Sequence, residues 1–274
     1  MTSAAARGAA VVALLAWSLL PVLWQALTAL KPDAQLTATP TVYVPRPPTL
    51  AHFDALFTRK PFAAYLLNSL LVSASATALC LAAAAPAAWA LVRFAPRTRD
   101  RLLLALLLVA LFPPILLLFP LYEGVRALGL LNHPLGLCVP YAALSLPLAV
   151  WTVESGLRQV PREIDEAARL DGVSALGRLV RFQLPLAAPS LATAAILSFI
   201  FCWNEFMLSL TFMTRDARKT VTAGIASVGG SSIHEIPWGQ LSAAVVVATA
   251  PLVLLVLLFE RRIASGLTRG AVKG

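Results

Sequence analysis

Glu163, Asp165 and Glu166 crowd the short stretch from Val160 to Gly172, and Glu205 stands beside Asn204 inside a run of apolar residues. Acids gathered in a polar loop suit the positive N-terminal end of a helix, or a cation on a partner protein. An acid within an apolar run is costly to bury, and it marks a path or a pairing by default. Trp203, next to that acid, offers an apolar ring face on which a ligand could pack. The residue sets of ordinary reaction centres are missing from the sequence. His52, His133 and His234 lie far apart, and neither HExxH nor a defensible Ser/His/Asp set occurs. No GxxxxGK[ST] loop occurs, so the chain is not expected to hydrolyse ATP. Cys80, Cys138 and Cys202 each sit in an apolar run, as small buried hydrophobes do, rather than in a disulfide framework or a zinc site. No catalytic residue, no metal site and no cofactor bound by this chain is expected.

The elements that must position these carboxylates follow from composition. Of 274 residues, 59% are hydrophobic and 13% are charged, against about 25% charged in soluble domains. That is too little charge to cover a water-exposed surface, and it points to an all-α membrane protein. A bilayer core takes about 20 apolar residues per helix. Six stretches qualify: 9–30, 66–92, 102–122, 135–153, 191–212 and 241–259. The first is read as an uncleaved span, since it is long for a signal peptide and lacks a small-x-small cleavage site. With the N-terminus inside, 14 of the 22 Lys and Arg fall in inner segments. The densest blocks, Arg93 to Arg101 and Arg261 to Lys273, are both inside. Both termini are therefore expected in the cytoplasm. The same excess explains the net charge of +9 without nucleic acid. Residues 1–65 read as a first span plus a Pro-rich external segment, and 66–274 as a five-helix core. Prolines inside the spans (Pro21, Pro86, Pro113, Pro114, Pro120, Pro147 and Pro251) suggest kinked helices around a path.

The longest inner loop, at about 156–187, is the most informative part. Pro161 suits the first turn of a helix, and the acids behind it suit its positive end. Ile164, Ala167 and Ala168 fall on one apolar face, where two alanines let a partner backbone approach. Gly172 ends this helix and Ser174 can cap a second, on which Leu176, Leu179 and Val180 form another stripe. A lipid-surface helix pair would carry a basic polar face, whereas this one is acidic and suits a protein partner.

Glu166-Ala167-Ala168, three residues, Gly172, nine residues, then Phe182-x-Leu184-Pro185 resembles the EAA loop of ABC importer permeases. An aliphatic residue is usual where Phe182 stands. Further stretches resemble carbohydrate-uptake permeases of the maltose-transporter type. These are Pro120-Leu121-Tyr122, Leu128-Gly129-Leu130-Leu131-Asn132, Trp203-Asn204-Glu205-Phe206, Asn68-Ser69 and the ending from Arg261. Trp89, where Tyr is more usual, and Pro86 depart from the pattern.

The resemblance implies the type I ABC importer permease fold, with six transmembrane helices in the cytoplasmic membrane of a prokaryote. It implies a second homologous permease, a cytoplasmic ATPase dimer that holds ATP and Mg2+, and an extracytoplasmic sugar-binding protein. Glu166, Ala167, Ala168, Asp171, Gly172, Leu176 and Pro185 would couple to the ATPase. Asn204, Glu205, Trp203 and Asn68 are candidates for the substrate path. Maltose-like sugars, trehalose and glycerol phosphate all fit such a permease. The rival readings are a proton-coupled secondary transporter using Glu205 and a membrane-embedded enzyme.

Overall fold

Lipid offers no hydrogen bonds to a backbone, so an apolar run must satisfy its amides internally, as a helix does. A computed structural model describes the backbone of residues 4–229 and 236–271, and the side chains of residues 6–229 and 236–259. His234 and the basic side chains from Arg261 to Lys273 lie outside that description. All the regular elements among the described residues are helices, with no strand. In chain order the helices are α1 (Ala4–Ala29), α2 (Asp33–Leu36), α3 (Ala51–Arg59), α4 (Phe62–Val92), α5 (Pro96–Ala110), α6 (Pro114–Ala127) and α7 (Leu135–Leu157). Then come α8 (Arg162–Leu170), α9 (Ala175–Arg178), α10 (Leu184–Leu186), α11 (Ala188–Asn204), α12 (Met207–Phe212), α13 (Val221–Ala226) and α14 (Trp238–Ala271).

Four of these, α1, α4, α7 and α14, are long and apolar enough to cross a membrane as single helices. Two bent pairs bring the number to six if each counts as one span. The first pair corrects the expected third span, 102–122. It is α5 and α6, bent by 82° at a break over Leu111 to Pro113. Pro113 and Pro114 each lack an amide donor, and each pushes the residue before it out of the helical region, so the helix stops and restarts in a new direction. The expected fifth span, 191–212, is likewise divided. α11 ends at Asn204, Glu205 is extended (φ −66°, ψ 126°), and α12 begins at Met207. A second bend, of 85°, separates the stretch Ala175–Leu186 from α11. The other in-span prolines, Pro21, Pro86, Pro120, Pro147 and Pro251, lie inside continuous helices.

α4, α7 and α11 pack on one another and form the centre. Their shared face is built from small residues: Ala76, Cys80, Ala84 and Ala88 of α4, Ala142 and Ala149 of α7, and Ala194 of α11. Association inside lipid has no hydrophobic drive, so it depends on backbones coming close enough for dispersion contacts. Gly156 of α7 shows how close: a Cβ there would land 2.2 Å from Ser190 Oγ of α11. α14 joins α11 and α3 around Phe62, Tyr65 and Trp203. α1 packs on α14 and sets Trp24 edge-on to Tyr43, and the helix before them is exposed, with Trp17 at 83%. The Pro-rich stretch after α1 is irregular apart from α2 and leads into α3, where buried His52 sets Nε2 2.7 Å from the Lys31 carbonyl.

Candidate functional site

The loop between α7 and α11 builds a small helical unit at one end of the bundle. Pro161 (φ −57°, ψ 134°) precedes α8 as its N-cap, and Glu163 and Asp165 occupy the first turn. The end of α8 is closed by two backbone bonds, Val173 N–H to the Ala168 carbonyl (3.0 Å) and Gly172 N–H to the Arg169 carbonyl (3.1 Å). This pattern needs a left-handed residue one step past the cap, and Gly172 supplies it at φ +77°. Ser174 Oγ then accepts from Gly177 N–H at 3.2 Å and starts α9. A π-helical turn, Leu179–Gln183, follows, and α10 leads to the elbow at Ala187.

The faces of this unit differ from those expected. Ile164, Asp165 and Ala168 turn toward the protein, whereas Ala167 is exposed together with Glu166. The second stripe splits as well: Leu179 is buried, and Leu176 and Val180 are 70% and 53% exposed. The π-helical turn at Leu179 takes more residues per turn than an α-helix, so the 3.6-residue period fails there. The outward surface holds Glu166, Ala167, Asp171, Leu176 and Pro185, joined by Leu170 at 88% exposure. Of the residues expected to couple, Ala168 alone is buried, and Gly172 acts through its backbone.

Asp165 holds the unit to the bundle, which the sequence does not reveal. Its Oδ2 accepts from Arg93 at 3.1 Å and pairs with Arg178 at 3.4 Å. The Arg93 guanidinium lies over the Trp89 ring, 3.3 Å from its centroid, and that of Arg178 is 5.8 Å from the same ring. Trp89, Arg93, Pro161, Asp165, Glu166 and Gln183 line a cleft between the end of α4 and α8. Beside it, buried Glu154 of α7 pairs with Arg99 (3.3 Å), which fastens the start of α5 to α7, and with Arg158 (3.9 Å) just past the end of α7. Asp165 and Arg93 are 72 residues apart, so no local spacing rule could have paired them.

A second polar cluster occupies the break between α11 and α12. Glu205 Oε2 accepts from the Tyr141 hydroxyl at 2.5 Å and from Ser209 N–H at 3.3 Å, and Oε1 accepts from Leu208 N–H at 2.9 Å. The carboxyl group thus satisfies amides in the first turn of α12 that have no helical partner. The Thr222 hydroxyl donates to the Glu205 carbonyl at 2.7 Å. Trp203, expected as a stacking surface, is 3% exposed; its Nε1 donates to the Ala248 carbonyl at 3.2 Å and its ring stacks on Phe199. It is a core residue of this chain and offers no free ring face. Asn204 is exposed and donates only within its own helix, to the Ile200 carbonyl at 2.8 Å. Asn68 spends its amide on the carbonyls of Ala217 (2.9 Å) and Lys219 (3.0 Å). Among the four path candidates, Asn204 is the one with an exposed side chain.

Asn132 ends the Leu128-Gly129-Leu130-Leu131-Asn132 motif. It is left-handed (φ 61°), its Oδ1 accepts from Arg215 N–H at 2.7 Å, and its Nδ2 donates to Thr214 Oγ1 at 3.0 Å. It ties the α6–α7 turn to the segment after α12. Nearby, burial opposes the charge of Asp216, but the Lys219 ammonium at 3.0 Å, the Tyr65 hydroxyl and the charge of Lys60 together hold the carboxyl below its ordinary value.

Residues 62–269 match the family described as "Binding-protein-dependent transport system inner membrane component". The chain is 39% identical over 261 residues to the sulfoquinovosyl glycerol transport system permease protein SmoH of Agrobacterium fabrum, covering 95% of this chain and 91% of that protein. It is 38% identical to the trehalose transport system permease protein SugB of Mycobacterium tuberculosis, over 94% of this chain and 93% of that one. It is 37% identical to the trehalose/maltose transport system permease protein MalG of Thermococcus litoralis, over 93% and 92%. Its fold matches a chain of a bacterial ABC transporter involved in the import of the acidic polysaccharide alginate. That match has a TM-score of 0.77 and 18% identity and covers 95% of this chain and 98% of that one.

Proposed function

The chain belongs to the family of inner membrane components of binding-protein-dependent transport systems, and on that premise we propose that it is the permease subunit of an ATP-driven importer of a sugar or small glycoside. The observation that carries this reading is the near-complete overlap with three permeases whose names specify glycosides. Its own part is to form the path with a second permease. ATP and Mg2+ sit on a separate cytoplasmic ATPase dimer, and a binding protein delivers the sugar from outside. The unit from Pro161 to Ala187 is the ATPase-docking element, with both chain termini on the same cytoplasmic side. In support, Glu166, Ala167, Leu170, Asp171 and Leu176 face outward on a unit fastened from behind by Asp165. Two exposed leucines and a carboxyl group on one unit fit a groove that has apolar walls and a cation. ATP closure of the dimer and docking of the loaded binding protein would each favour one conformation of the permease pair, which is what coupling requires.

A proton-coupled carrier using Glu205 finds no support. Both of its carboxyl oxygens are engaged in holding the α11–α12 break, and the relatives are permease subunits.

The test is Glu166→Lys in a reconstituted transporter, with insertion of the chain as control. Removing a carboxylate from a buried ion pair costs about 2–5 kcal/mol, and a lysine adds like-charge repulsion. Loss of the ATPase subunit and of sugar uptake is expected, with insertion unchanged. Normal retention with normal uptake would refute the docking role.

A further inference from the structure

Two attachments at opposite ends of one helix suggest how a stroke crosses the membrane. At one end of α4, Arg93 lies between the Trp89 ring and the Asp165 carboxylate. Asp165 also takes Arg178, so one carboxylate gathers α8, α9 and α4. At the other end, Asn68 donates to the carbonyls of Ala217 and Lys219, and Ser69 Oγ accepts from Val221 N–H at 2.7 Å. Tyr65 presses on α13 so closely that a Cβ on Gly224 would sit 2.2 Å from its ring. Between these ends α4 is one continuous helix, and Pro86 is exposed without breaking it. From Asn68 to Arg93 the axis spans about 37 Å.

The covalent route between the same two places is poorly suited to transmit a push. From α10 the chain passes an 85° elbow at Ala187, runs along α11 and breaks again at Glu205 before it reaches 217–221. A lever with two joints absorbs motion that an unbroken one passes on. We infer that Arg93, seated on Trp89 and paired with Asp165, is the positioning joint through which the docking unit moves α4, and that α4 carries the motion to the segment at 217–221. This rests on the docking role proposed above. Trp89 is the platform of the joint: a flat ring keeps the guanidinium in the plane that meets the carboxylate, which a purely aliphatic side chain does not.

The experiment uses the whole reconstituted transporter. The affinity of the binding protein for the complex is measured without nucleotide and with a non-hydrolysable ATP analogue. The ratio of the two affinities reports the coupling between the two faces, whichever ligand is varied. Arg93→Ala and Trp89→Leu are expected to reduce this ratio about fivefold or more. Trp89→Tyr, which keeps a ring face, is expected to retain it. The ATPase subunit should co-purify with all three variants, because the outward surface of the docking unit is untouched. A wild-type ratio in Arg93→Ala overturns the inference. So does loss of the ATPase subunit from Arg93→Ala, which would make Arg93 part of docking and not of transmission. Glu166→Lys is run alongside: normal co-purification of that variant would instead refute the docking role itself.

Discussion

Glu205→Ala should unsettle the α11–α12 break, and the size of the effect can be worked from its three hydrogen bonds. The Tyr141 hydroxyl belongs to a residue with no solvent exposure, and Leu208 and Ser209 are 1% and 0% exposed. An orphaned buried donor costs roughly 1–3 kcal/mol. The Tyr141 bond at 2.5 Å has the length of a charge-assisted contact, and the Leu208 bond at 2.9 Å is well formed. The Ser209 bond at 3.3 Å is weak and counts at the low end. Together they give a loss of about 3–5 kcal/mol after some relaxation. Tyr141→Phe leaves Glu205 with both amides and should cost about 1–2 kcal/mol. The decisive comparison is Tyr141→Phe in the Glu205→Ala background. There the hydroxyl has already lost its acceptor, so removing it should be neutral or stabilising. The coupling between the two sites is then about 1–3 kcal/mol. The measurement is equilibrium unfolding of the purified chain in mixed micelles with graded denaturing detergent, monitored by tryptophan fluorescence. If Tyr141→Phe costs the same in both backgrounds, the short bond contributes nothing, and the capping account of Glu205 is wrong.

Gly172→Val should destabilise the docking unit by about 1–2 kcal/mol or more, because a β-branched residue at φ +77° is strained even though the space around it is open. Protease nicking of the loop in detergent should rise with it, and unchanged nicking would argue against the left-handed turn. Single cysteines placed at Arg99 and Ser174 should react with impermeant reagents only from the cytoplasm, and one at Asp54 only from outside. Labelling of position 174 from outside would reverse the orientation.

Length and hydropathy locate helices well because each apolar run must close its own hydrogen bonds in lipid. The runs at 66–92 and 135–153 thus became α4 and α7 with small shifts at their ends. The same signal carries no angle. Pro113-Pro114 and Glu205 are plain in the sequence, yet an apolar run reads alike whether it is straight or bent by 82°. In the docking unit the glycine and serine were legible, since a left-handed turn and a cap each constrain one residue type. The inward face was not legible. Helical period gives which residues share a side, but the inward side is chosen by Arg93 and Trp89, which are far away in the chain, and by Arg178, which lies on the next helix. Trp203 shows the opposite error. Its type suggested a ligand surface, and a carbonyl 45 residues onward had already claimed its N–H.

The alanine seam between α4 and α7 bears on how this chain can drift in sequence. On the side of α4 that faces away from the bundle, Leu67, Leu71 and Leu79 stand 45–54% exposed, and one bulky apolar residue there serves as well as another. On the seam, Ala76, Ala84 and Ala88 are fully enclosed, and an added methyl group has nowhere to go. A helix that looks uniformly greasy is thus two inheritances in one: a permissive outer edge that records only the taste of the lipid, and a strict inner edge where even valine is an intruder. Homologous chains should scatter at the first set of positions and agree on small residues at the second.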